Sequence, residues 1–167
     1  DRFGRGGHHR PFNDVGFPAV RIMETHEHYD RQHQDLRTED GVMYGDVLSG
    51  VNFDYARKVT ALNVVTLASL AAAPAPPSGV LIEGQVSPDT TLQWQRVSGA
   101  AGYRVHWRLT TEAQWTHSRW VGDVDAATLE NVVIDNYLFG VSSVSEAGFS
   151  SPVVFPGPIG SFKTDEY

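Results

Sequence analysis

The stretch Met23-Glu24-Thr25-His26-Glu27-His28-Tyr29-Asp30-Arg31-Gln32-His33-Gln34-Asp35 gathers three imidazoles and four carboxylates in one short segment. Imidazole nitrogen and carboxylate oxygen are the donors that divalent metals take, so the segment reads as one wall of a metal site. Two further histidines, His8 and His9, follow a glycine-rich loop, so five of the seven histidines fall within the first 33 residues. The competing reading is a polar loop in water, with solvated carboxylates and no metal. Glu24 and Glu27 are candidates for orienting a ligating imidazole, and Arg21 is expected to pair with a carboxylate.

The elements that must position this loop are few. Residues 18–23, Pro-Ala-Val-Arg-Ile-Met, are short, β-branched and flanked by turn formers, which predicts a strand leading into the loop. Residues 11–15 predict one or two helical turns ending at Gly16, and residues 4–7 a flexible loop. Asn52-Phe53-Asp54 offers a cap for a helix over 55–70, in which Val59, Leu62, Val65 or Thr66, and Ser69 or Leu70 recur at helical spacing. One strand and one good helix do not bury a core, so residues 1–73 are expected to pack on something else.

The run Ala71-Ala72-Ala73-Pro74-Ala75-Pro76-Pro77-Ser78-Gly79 reads as a short, semi-rigid linker over 74–79. Beyond it the hydrophobic period changes to two. Residues 91–95, 103–109 and 137–144 alternate apolar with polar and are separated by Gly-rich turns, which predicts an antiparallel sandwich of about seven strands over 80–157. Residues 158–167 form a tail. His106 and His117 are expected on the surface of strands.

Composition excludes several classes. A formal charge of −7 with no basic run argues against nucleic acid. No stretch of 18 apolar residues exists, so no membrane span is expected. The absence of cysteine rules out disulfides and thiolate ligands.

Two resemblances refine these expectations. Pro76-Pro77, Trp94, Tyr103 and the pattern Leu129…Tyr137-x-Phe139-x-Val141-x-x-Val144-x-x-x-Gly148-x-Ser150-x-Pro152 resemble a fibronectin type III domain, with Tyr137 in the place of the tyrosine corner. Such modules usually act as spacers or adhesive surfaces. Gly6-Gly7-His8-His9-Arg10-Pro11-Phe12, Gly16-Phe17-Pro18-Ala19-Val20-Arg21, Glu24…Tyr29-x-x-x-His33-Gln34-Asp35 and the helix around 53–57 resemble the C-terminal end of bacterial zinc aminopeptidases of the leucyl aminopeptidase and transferrin-receptor-like group. The implied fold is an α/β fragment, the last strand and helices of a hydrolase-like sheet, followed by the all-β sandwich.

The resemblance implies a di-zinc hydrolytic site to which this end of the domain contributes only the last histidine. That residue is taken as His33, with Tyr29 as the phenol stabilising a tetrahedral intermediate. Counting from Tyr29 puts Asp30 on the ligand position, and counting back from Asp35 puts Arg31 there. His28, Glu24, Asp30 and Asp35 stand as alternative ligands or their supports. The implied partners are the N-terminal half of the peptidase domain or further copies of the chain, with a peptide as substrate, and the implied location is extracellular or periplasmic. The alternative function is a non-catalytic structural or assembly subunit derived from that family.

Overall fold

The computed structural model describes residues 6–17, 19–24 and 26–157. The chain divides into two compact units that meet inside a helix, Asp1–Ala56 and Arg57–Tyr167.

In the first unit, Pro11 starts the short helix α1, Arg10–Asp14, because proline lacks only an N–H that the first helical turn leaves unpaired anyway. Gly16 follows at φ +87°, a conformation glycine adopts without strain. The Asn13 side chain then pins the returning chain, accepting from Ala19 N at 2.8 Å and donating to Ala19 O at 3.2 Å.

The strand expected over 18–23 is not formed. Pro18 lies outside the described residues, and Ala19 to Glu24 carry no ladder. A β-branched run becomes a strand only beside another strand, and the strands β1 and β2 of this unit are paired with each other. The α/β sheet expected for this half is therefore absent among the described residues.

β1, Arg37–Glu39, and β2, Val42–Tyr44, form a hairpin. Asp40 and Gly41 both have positive φ, +50° and +81°. This is the type I′ turn that Asp-Gly favours, because its twist matches that of the flanking strands. The Arg37 guanidinium lies 4.0 Å over the Tyr44 ring. Gly45 then returns the chain to the histidine loop, donating its N–H to Asp30 O at 2.9 Å.

Helix α2 runs Phe53–Ala72. Asn52 caps it as the sequence implied, its side-chain oxygen accepting from Tyr55 N at 3.0 Å. The Asn63 and Thr66 side chains bond back to the carbonyls of Val59 and Leu62. No residue of this helix is buried.

In the second unit, β3 (Ser78–Glu83), β4 (Thr90–Gln95) and β7 (Ala126–Leu129) form one antiparallel sheet in the order β3-β4-β7. β6 (His117–Gly122), β5 (Gly102–Leu109) and β8 (Tyr137–Val144) form the other in the order β6-β5-β8. β3 opens at Ser78, inside the stretch read as linker.

The core lies between the sheets and follows the period of two: Val80, Leu92, Trp94, Tyr103, Val105, Leu129, Phe139 and Val141. Burying each such side chain contributes about 1.5–3 kcal/mol. Six strands stand where about seven were expected. The remaining segment forms isolated bridges, Val154 to Val141 and Ser150 to Val144, rather than a strand, because Pro152 between them has no N–H to extend a ladder. Tyr137 opens β8 with its ring edge-on to Phe139 at 6.2 Å, whereas the hydroxyl that ties back to a backbone amide, Val97 N, is that of Tyr103.

Candidate functional site

The polar residues of the first unit surround two clefts. The larger, of about 570 Å³, is lined by Glu24, Glu27, His28 and Asp46 together with Arg21 and Arg31, backed by Ile22 and Met23. The second, of about 440 Å³, is lined by Gly6, Gly7, His8, His9 and His33. Arg21 and Gln32 belong to both walls.

Arg21 does pair with a carboxylate. Its Nη2 donates to Glu27 Oε1 at 3.3 Å, with the Glu27 side chain 10% exposed. Arg21 also donates to Gly6 O at 3.5 Å, linking the glycine-rich loop to the cleft wall. Arg31 is half-buried, and its Nη1 is shut off from solvent with no hydrogen-bond partner among the described residues. Its backbone N–H closes a turn on His28 O at 3.2 Å. The loop reverses at His33, whose φ of +55° is left-handed, a conformation imidazole residues adopt more readily than most.

The expected site residues are divided by this geometry. Glu24 and His28 line the larger cleft, and His33 lines the other with His8 and His9. Tyr29, Asp30 and Asp35 line neither of these two clefts. Tyr29 is 44% exposed, and the part of Asp30 that the fold uses is its carbonyl.

The described residues do not form a complete zinc site by themselves. Among the described residues no three His, Asp or Glu side chains come close enough together to hold a metal ion, and a catalytic zinc needs three protein ligands. The cleft with most carboxylates also carries two guanidinium groups, which oppose a divalent cation electrostatically. His33, taken as the ligand, lines a different cleft from Glu24 and His28.

Sequence reasoning overlooked two polar features. Arg31 stood only at one counted ligand position, although it lines the larger cleft. His106 was placed on the surface, yet it is half-buried: its Nε2 lies 2.9 Å from Ser142 Oγ and its ring 5.8 Å from that of Trp115. Burial, assisted by the Arg104 charge, lowers its pKa from 6.5 to about 4. The signal was available in the alternation, since Arg104, His106 and Arg108 share the outer face of β5, and loop 110–116 folds Trp115 over that face. His117 is a surface residue as expected, stacked on Trp107 at 5.3 Å.

Comparison with known proteins places these features in context. No family model matches the chain. The chain is 45% identical over 161 residues to a "probable zinc metalloprotease" of Leptosphaeria maculans, a match covering 95% of this chain and 37% of that protein. It is 41% identical to proteins of the same name from Pyrenophora tritici-repentis and Pyricularia oryzae, covering 33% of each. These relatives are fungal, so the bacterial origin implied by the resemblance has no support. Among solved structures, a fibronectin type III-like protein from Clostridium thermocellum is 25% identical, covering 48% of this chain and 85% of that one with a TM-score of 0.42. A fibronectin type III domain of human collagen α-1(XX) is 20% identical, covering 50% and 82% with a TM-score of 0.43. The chain is mostly β in its regular structure and similar in sequence to zinc-metalloprotease-like polypeptides, of whose length it spans about a third.

Proposed function

We propose that this chain is one portion of an exported, peptidase-related polypeptide, supplying the histidine loop and an accessory β-sandwich, with the metal and the hydrolytic groups contributed by sequence outside it. The observation that carries the reading is the match at 45% identity over 95% of this chain but only 37% of the relative. The failure of the described residues to assemble a metal-binding set supports the same division of labour. Aminopeptidase rather than internal cleavage, and export rather than retention, follow from the family resemblance of the loop residues. The role of the loop would be to close one side of a substrate cleft, with the sandwich as a spacer or adhesive surface.

The test is hydrolysis of leucine p-nitroanilide by the purified 167-residue chain, alone and joined to the region of the Leptosphaeria relative that lies outside the matched third. The expected result is no turnover by the chain alone and zinc-dependent turnover by the joined protein. Steady hydrolysis by the chain alone would refute the proposal.

A second reading, a non-catalytic assembly subunit, is favoured by helix α2. Its apolar residues Leu62, Val64, Val65, Leu67 and Leu70 are all exposed, as expected of a surface that a neighbouring protein covers. An intact polypeptide that neither hydrolyses peptides nor retains zinc would decide for this reading.

A further inference from the structure

We propose that the larger cleft is a carboxylate-binding site anchored by Arg31, taking the carboxylate end of an apolar amino acid rather than a metal cation. The inference concerns the first unit alone and stands apart from the peptidase reading.

It starts from the Arg31 guanidinium. Nη1 is buried and has no hydrogen-bond partner among the described residues. A desolvated charged donor left unpaired is one of the costlier features a fold can carry, so an acceptor belongs in front of it. The acidic wall does not provide one. Glu27 is joined to Arg21 at 3.3 Å, and Glu24 and Asp46 line the cleft with no ion pair to Arg31 among the described residues. A guanidinium matches a carboxylate in shape and charge.

The surroundings define the rest of the ligand. Arg31, Asp46 and Gly50 line both the larger cleft and an adjoining cavity of about 300 Å³, whose remaining walls are Val47, Leu48 and Val51. Leu48 and Val51 are exposed and available for contact. A ligand whose carboxylate meets Arg31 can therefore lay an apolar side chain against these three residues. Glu24 and Asp46 would repel a ligand with a second negative charge and would favour a neighbouring ammonium.

Two sources share this chemistry, a free apolar amino acid and the C-terminus of a short peptide. The experiment is isothermal titration of the full chain with leucine, glycyl-leucine, leucinamide and, separately, zinc chloride. Leucine or glycyl-leucine is expected to bind and leucinamide, which lacks the carboxylate, is not. Binding of leucine without glycyl-leucine would identify the free amino acid as the source, and binding of glycyl-leucine would admit peptide ends. Arg31→Gln should weaken binding about 10-fold or more, with Arg31→Lys intermediate because it keeps the charge without the fork. Unchanged far-UV circular dichroism shows that the variants fold. Equal affinity for leucinamide, no effect of Arg31→Gln, or no binding of either carboxylate ligand at millimolar concentration overturns the proposal. Stoichiometric zinc that competes with leucine for the cleft overturns it as well.

Discussion

At the scale of single residues, His106 is where the fold couples most directly to pH. Its imidazole is half-buried against Ser142 and Trp115, and burial, with Arg104 nearby, holds its pKa near 4 against 6.5 in the unfolded chain. A depressed histidine pKa means that the unfolded state binds the proton more readily. The contribution is therefore fully present above about pH 6.5 and is lost as pH falls toward about 4, below which no further loss occurs. A shift of this size corresponds to about 3 kcal/mol. Solvent access to the partly exposed ring reduces that to about 2 kcal/mol. All four tryptophans, at 94, 107, 115 and 120, belong to the sandwich, so their fluorescence during urea unfolding reports on this unit. The unfolding free energy of the wild type should drop by about 2 kcal/mol between pH 7 and pH 4 through this residue, and His106→Asn should remove that part of the slope. Identical pH dependence in the two proteins would mean that the ring titrates normally.

At the scale of elements, Gly140 is constrained by close approach rather than by backbone conformation. It pairs with His106 across β5 and β8, and a Cβ at this position would lie 2.4 Å from Val153 Cγ1 and 3.0 Å from Val154 O. The second contact is backbone in the bridged edge segment, which cannot yield without breaking the two Val141–Val154 hydrogen bonds. Gly140→Ala should destabilise the sandwich by about 2 kcal/mol or more in thermal unfolding. Gly99→Ala, where the added carbon meets nothing but φ is +81°, should cost only about 1 kcal/mol. Equal costs would show that the edge segment is free to move away from β8.

The same elements show how far the sequence can be read. The sandwich strands were legible because an alternating pattern needs only its own partners, and β4, β5 and β8 find theirs within the chain. The cap of α2 was legible for a similar reason, since Asn52 acts on an amide three residues away. The Val20–Arg21–Ile22 run was misread because its conformation depends on a neighbouring strand that the described residues do not offer. The hairpin at Asp40–Gly41 had a clear turn signal in its Asp-Gly pair, but its strands of three residues are too short to show an alternating pattern. Of the candidate site, Glu24 and His28 line one cleft. Spacing could not show that the loop turns back at His33, sending its imidazole to a different cleft, nor that Arg31 would stand beside the carboxylates.

At the scale of the whole molecule, the open question is what covers helix α2. From Thr60 through Ala73 the sequence has no charged residue, and Leu62 and Leu67 are 55% and 67% exposed. No helix among the described residues is long and apolar enough to cross a membrane, and a helix on the surface of a soluble protein ordinarily keeps a charged or polar side toward water. The relatives carry about two thirds of their length outside the matched region, and under the peptidase reading proposed above that region would cover this surface. Without it, the isolated chain should bury the helix against copies of itself. Sedimentation velocity should show association that grows with concentration through the micromolar range. The double variant Leu62→Glu, Leu67→Glu should remain monomeric while retaining its sandwich fluorescence, because these side chains touch no part of the core between the sheets. Addition of the relatives' unmatched region should convert the wild-type oligomers to a one-to-one complex and leave the double variant unbound. A wild-type chain that stays monomeric with α2 fully helical would show that the exposed leucines need no partner.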